Sequence, residues 1–283
     1  MKNKLFTITL AALSIVLAGS CEKSDDIAPD NGSTAKVLPK GALPGEFSVS
    51  ATKKVYFSKG NLYYNGISYR FEDYQWEFPN KHIGHFYWSK NASVAISGKY
   101  NESTTRASDV FFTNAKAETA SNTFTVDNGA AGMYRTLSKE EWKYLFTGRE
   151  DASNKYGYAT LQREGTIGTV YGIILLPDYF DDPKTNKGIS AFVPAPSTGW
   201  KQNIYDKDGW NAMESAGAVF LPAAGYHNSL EVRNVNIQGS YWSSSTCSDD
   251  NVYCVFFKDT RLAYNHESGR AFGYSVRLVT DAN

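Results

Sequence analysis

Hydrophobic and polar positions fall into short runs along most of this chain. Phe47-Ser48-Val49, Val55-Tyr56-Phe57, Leu62-Tyr63-Tyr64 and Tyr69-Arg70-Phe71 each read as a strand. Lys59-Gly60-Asn61 and Asn65-Gly66 punctuate them, and the second is a hairpin-type dipeptide. Val170 to Leu176 is continuously apolar apart from Gly172 and stops at Pro177-Asp178, the pattern of a buried strand. Ala218-Val219-Phe220-Leu221 is a second such run. Tyr241 to Ser245, Val252 to Lys258 and Tyr274 to Val279 supply the last strands, and the polar segments between them are expected to be loops.

One helix is marked by its own chemistry. In Ser138-Lys139-Glu140-Glu141 the Ser138 hydroxyl and the Glu141 carboxylate can each satisfy an amide that the first turn leaves orphaned. Leu137 and Trp142 hold the staple positions. Trp142, Leu145 and Phe146 share one face, and Gly148 is the stop. A second short helix is expected near Trp210 to Ser215.

The first residues carry an address. Met1-Lys2-Asn3-Lys4 is a positive start, and Leu5 to Gly19 is an apolar run too short to span a bilayer as a helix. The ending Leu17-Ala18-Gly19-Ser20-Cys21 resembles a bacterial lipobox, which implies removal of residues 1–20 and lipidation of Cys21. Several acyl chains on one residue anchor a protein stably. Residues 21–45 are rich in Asp, Asn, Ser and Pro and poor in large apolar side chains, as in a flexible tether. The start Cys21-Glu22-Lys23-Ser24-Asp25-Asp26 resembles the acidic signal of surface-exposed lipoproteins of Bacteroidetes-type bacteria. A generic solvated linker is the alternative. Residues 46–283 read as a single domain without internal repeats.

Composition narrows the function. The chain has 29 basic and 29 acidic residues, so binding of nucleic acid through bulk charge is not expected. Its 19 Tyr and 16 Phe against 3 Met favour strands over helices. The chain lacks a phosphate loop, a dinucleotide fingerprint and a nucleophile elbow.

The motif Tyr134-Arg135-Thr136-Leu137-Ser138-x-x-Glu141-Trp142-x-Tyr144-Leu145-Phe146 resembles the helix of the formylglycine-generating, sulfatase-modifying fold, a variant of the C-type lectin fold. Three further segments are similar to FISUMP-like surface lipoproteins of gut bacteria: Phe220 to Tyr226, Gly239 to Ser245, and Gly273 to Val279. The resemblance implies an α+β domain of C-type-lectin-like type, with small twisted antiparallel sheets, two or so helices and extensive loops. It implies a non-enzymatic binding or adhesion module on the outer membrane, facing the exterior, with a glycan or protein target and no cofactor. A subunit of a surface appendage and a copper-dependent oxidase are the alternatives.

In this fold ligands meet the C-terminal loops. That makes His227, Asn228, Asp249, Asp250, Asn251, Tyr253, Arg261, Tyr264, Asn265 and His266 the candidate binding residues, since such side chains combine rigid aromatic contact with adaptable hydrogen bonding. The region also resembles the retroelement-diversified segment of some lectin-fold surface proteins. Cys247 and Cys254 are the cysteines left after lipidation, and a turn at Asp249-Asp250-Asn251 points to a disulfide between them. The alternative is a copper-holding pair, for which their spacing of seven is a poor match. Trp142 and Trp242 read as core. Arg135 and Arg277 read as braces for carboxylates such as Glu141. The pair His82 and His85 lacks a ligand context, while Asp181-Asp182 and Asp249-Asp250 offer oxygen ligands that could contribute to a calcium site, without an EF-hand spacing.

Overall fold

A computed structural model describes residues 37–78, 84–88, 125–130, 132–163, 168–183, 191–195, 199–228, 231–248 and 250–282. Among these the architecture is mixed α and β, built from small, mostly antiparallel sheets and two α-helices. The first sheet orders β1 (Ala42–Ser48), β2 (Lys54–Ser58), β15 (Leu278–Asp281) and β5 (Arg135–Thr136). The second orders β8 (Asn203–Tyr205), β6 (Tyr156–Gln162), β7 (Thr169–Leu175) and β9 (Val219–Pro222), with only β6 and β8 parallel. The third runs β12 (Gln238–Thr246), β13 (Asn251–Lys258) and β14 (Arg261–Gly269). Hairpins β3 (Leu62–Tyr64) with β4 (Tyr69–Phe71), and β10 (Tyr226–His227) with β11 (Val232–Arg233), complete the set.

Helix α1 (Lys139–Thr147) forms as the sequence demands. Glu141 N–H donates to Ser138 Oγ at 3.2 Å, and Ser138 N–H donates to Glu141 Oε2 at 2.8 Å. Trp142 is fully buried against Phe57 and Phe146, so the helix docks by its aromatic face. Helix α2 (Lys207–Ser215) starts earlier than expected because the Asp206 carboxylate accepts from Gly209 N–H and caps it. The Asn65-Gly66 hairpin also forms. Asn65 Oδ1 accepts from the amides of Ile67 and Ser68, and Gly66 takes φ +95°.

Two boundaries differ from the expectation. Strand β1 begins at Ala42, inside the segment read as tether, and the compact unit starts at Leu38. Leu43, Gly45, Phe47 and Val49 alternate inward, but Gly45 hides the period because it has no side chain. A Cβ on Gly45 would lie 2.5 Å from the Gly217 carbonyl oxygen, so glycine is what lets the two backbones meet. The last strand is shorter than expected. Tyr274 and Ser275 make only isolated bridges, to Phe86 and Tyr241. Val276 and Leu278 still pack with Trp242 and Trp88, while Val279 joins Phe47, Phe57 and Trp142.

The third sheet is packed on both faces. Tyr241, Val255 and Phe257 enter the cluster around Trp142, and Trp242, Val252 and Cys254 enter the cluster around Trp88 and Tyr274. Trp242 is fully buried, and its Nε1–H donates to the Phe86 carbonyl at 2.7 Å. Arg135 braces Glu141 through two bonds of 2.7 and 2.8 Å and also binds Asp281. That places β5, α1 and the end of β15 on one guanidinium. Arg277 does otherwise. Fully buried, with its pKa lowered to about 10 by that burial, it donates to Gln75 Oε1, and Gln75 Nε2–H donates to Glu214. An amide thus stands between this arginine and its nearest carboxylate. His85 is buried too, with one ring nitrogen on the Ala224 carbonyl, and its burial lowers its pKa to about 4.

Candidate ligand-binding site

Most of the segment expected to be a loop, Arg261 to Phe272, is a nine-residue strand, β14, at the outer edge of the third sheet. Its backbone pairs with β13 from Lys258↔Arg261 to Asn251↔Gly269. Its side chains look polar because one side of the strand faces solvent. A bulge sits between the Cys254↔His266 and Phe256↔Ala263 pairs, where Tyr264 and Asn265 oppose Val255 alone. That extra residue divides β14. Tyr264 turns toward α1 and stacks on Phe146 at 6.1 Å, whereas His266 lies over Phe256 at 5.0 Å between ring centroids.

Phe256 organises the exposed face. Lys258 Nζ lies 5.5 Å and Arg261 Cζ 5.4 Å from its ring centroid, both within cation–π range. Lys258 and Arg261 are direct cross-strand partners and exposed, and neither makes an ion pair among the described residues. Like charges facing each other across a hairpin destabilise it slightly, so the arrangement has a cost that packing alone does not explain. The connecting turn is held in place by Asp259 Oδ1, which accepts from Trp200 N–H at 2.8 Å. Partial burial and the nearby Arg261 charge lower the pKa of His266, opposed by Glu267. An anion bound here would reverse that shift.

The other expected residues scatter. His227 lies on β10, where its backbone exchanges two 2.8 Å bonds with Gly273, and Asn228 closes the β10–β11 turn by accepting from Glu231 N–H. The Asp250 carbonyl accepts from Arg270 N–H, and the Asn251 carbonyl accepts from the amides of Cys247 and Ser248. Tyr253 faces α1 with Lys139 Nζ 4.0 Å from its ring centroid. Asp249 and Cys21 lie outside the described residues, as does His82.

The expected disulfide is not formed: Cys247 and Cys254 are both free. The reason is strand parity. Cys247 lies near the Tyr253 hydroxyl, on one face of β13, while Cys254 pairs with Trp242 and enters the core on the opposite face. Burial drives the Cys254 thiol pKa far above its ordinary value, so it stays protonated. Among the described residues, no group of three or more His, Cys, Asp or Glu is placed to hold a metal ion.

Sequence reasoning missed Lys258 and Phe256, which it had assigned to a strand and left there. A pair of cations flanking a two-residue connection was the available signal. It also missed an opening of about 580 Å³ beside α1, lined by Lys53, Arg135, Thr136, Glu141, Lys143 and Tyr144 among others. Arg135 is already saturated there by Glu141 and Asp281, while the Thr136 hydroxyl is buried without a partner. No family model, no curated protein and no solved structure matches this chain. The chemistry of the site therefore rests on its own geometry.

Proposed function

We propose that this chain is a lipid-anchored protein of the bacterial outer surface, with a C-type-lectin-like domain. It binds an anionic group on a glycan or protein of another surface and catalyses no reaction. The observation that carries this reading is the Lys258–Arg261–His266 constellation around Phe256, two cations without acidic partners on a tip fixed by Asp259. A rigid hairpin loses little freedom on binding, so the charges act with small entropic cost. A planar carboxylate or a sulfate suits Arg261, which offers a donor fork, with Lys258 as a point charge beside it.

The test is an array of sulfated, carboxylated and neutral glycans, alongside acidic peptides, probed with the purified chain. Binding confined to anionic probes, weakened by salt and lost in the double variant Lys258→Ala/Arg261→Ala, supports the reading. Equal binding to neutral probes, or an unaffected double variant, refutes it.

One observation favours a second reading. The outer edge of β14 has no neighbouring strand among the described residues, and such an edge can accept a strand from a partner protein. A subunit of a surface appendage would use it. Arg261 and Glu267 on that strand argue against open-ended pairing, because charged edges resist it. Concentration-dependent polymers seen by electron microscopy would favour assembly over ligand binding. The oxidase reading gains no support, since Cys254 is enclosed in the core with Cys247 facing the other way.

A further inference from the structure

Between β4 and residue 79 the chain holds two aromatic rings in a stack. Tyr74 and Trp76 lie 4.9 Å apart between centroids at an interplanar angle of 15°. Tyr74 remains 51% exposed, so the stack is not simply core packing that reaches the surface. The residue between them, Gln75, is fully buried and bolted down. It donates to Glu214 Oε1 and the Ala218 carbonyl, and it accepts from Phe220 N–H and Arg277. A turn in which Tyr74 N–H donates to Glu77 Oε2 and Glu77 N–H to the Tyr74 carbonyl fixes the near side. The two rings are thus held rigid before any ligand arrives.

The stack walls a cavity of about 210 Å³, closed by Leu161, Gln162, Arg163, Asp206, Lys207 and Trp210. Four of these bring polar groups without a hydrogen-bond partner. The Gln162 amide and the Arg163 guanidinium make no side-chain hydrogen bond among the described residues. Asp206 uses Oδ1 to cap α2 and leaves Oδ2 free. The Trp210 indole N–H is buried without a partner as well. Flat apolar surface with a few convergent polar groups is the common composition of a small-molecule site. The volume lies below the roughly 300 Å³ of pockets that hold drug-sized ligands, so one small ring fits and an extended one does not.

We propose that this cavity is a second binding site, distinct from the β13–β14 face, for a single neutral pyranose ring. The C–H face of a sugar packs on an aromatic plate, and its ring hydroxyls alternate between donor and acceptor. A carboxylate, a guanidinium and an amide side by side answer both roles. Arg163 and Lys207 bring positive charge and Asp206 negative, and Glu77 acts electrostatically on Arg163, so the surroundings carry little net charge and suit a neutral guest. The site belongs to residues from 74 to 210 and shares none with the C-terminal hairpin.

The experiment titrates the full chain, held in a sugar-free zwitterionic detergent, with methyl glycosides of glucose, galactose, mannose and N-acetylglucosamine. Tryptophan fluorescence and saturation-transfer NMR report binding, and adenine serves as a flat, non-sugar control. Saturable binding of at least one glycoside is expected. It should weaken by about tenfold in Tyr74→Ala and in Gln162→Ala, be largely kept in Tyr74→Phe, and be unchanged in Arg261→Ala. Tyr74 and Gln162 are exposed, so these variants keep the fold. No saturable glycoside binding, binding indifferent to both alanine variants, or a preference for adenine would each overturn the proposal.

Discussion

Strands β13 and β14 lie side by side in one sheet and pair along their length around one bulge, yet they live in different environments. β13 is packed on both faces, with Val252, Cys254, Val255 and Phe257 fully buried. β14 has one clearly buried residue, Ser268, whose hydroxyl meets the Tyr274 hydroxyl at 2.6 Å. Backbone pairing is therefore indifferent to side-chain polarity here. The inner strand carries the stability of the region, and the outer strand is free to carry recognition.

That division can be broken at its strong end first. Phe257→Ala empties a site inside the Trp200–Tyr241 aromatic contacts and is expected to cost about 3–5 kcal/mol. A thermal melt should fall by about 10 °C. Arg135→Ala tests whether the brace between β5, α1 and β15 is comparable. It leaves Glu141 partly buried beside the cavity without its partner and should cost about 3 kcal/mol, read by urea denaturation. Replacing Arg135 and Glu141 together by apolar residues should cost less than Arg135→Ala alone.

A smaller effect comes from Glu72, whose pKa is raised to about 7, first by burial and then by the neighbouring Glu77 and Asp73. The folded state holds this proton more tightly than the unfolded chain does. Its contribution is full below the unfolded value near 4.5 and is lost as pH rises through 7. Buried His85 works in the opposite sense, lending stability above 6.5 that is lost as pH falls toward 4. Glu72→Gln isolates the contribution of Glu72. Relative to the parent, the variant should gain stability between pH 5 and 8 by about 1 kcal/mol, after allowance for solvent near the carboxyl. Melting curves at the two pH values check it. At the weak end, Asn265→Ala on β14 should shift stability by no more than about 0.5 kcal/mol.

The same contrast explains what could be read in advance. The apolar runs of β2, β7 and β9 declared themselves because their side chains are buried. Helix α1 was legible down to its cap because Ser138 and Glu141 act on adjacent backbone. β14 was not legible, because a hydrophobic pattern reports burial and this strand has little. The N-terminal half of β1 was missed for a related reason: Gly45 and Pro44 obscure an alternation that only close approach to Gly217 explains. The cysteines failed differently. Spacing fixes how far apart two thiols lie along the chain but not which face each occupies, and a single step of parity separates Cys247 from Cys254. Of the expected binding residues, Arg261 and His266 meet over Phe256, while Tyr264 and Tyr253 serve the α1 side. The Tyr74–Trp76 cavity was invisible beforehand, since its parts come from three separate stretches spread between Tyr74 and Trp210.

The most direct measurement is the affinity of a sulfated glycan for the parent chain and for Lys258→Ala/Arg261→Ala, with melting temperatures recorded in parallel. The account predicts a loss of binding of at least tenfold at unchanged stability, with the parent binding more tightly as pH falls and His266, whose pKa lies below its ordinary value, gains its proton. Undiminished binding by the double variant, with the same pH profile, would contradict it.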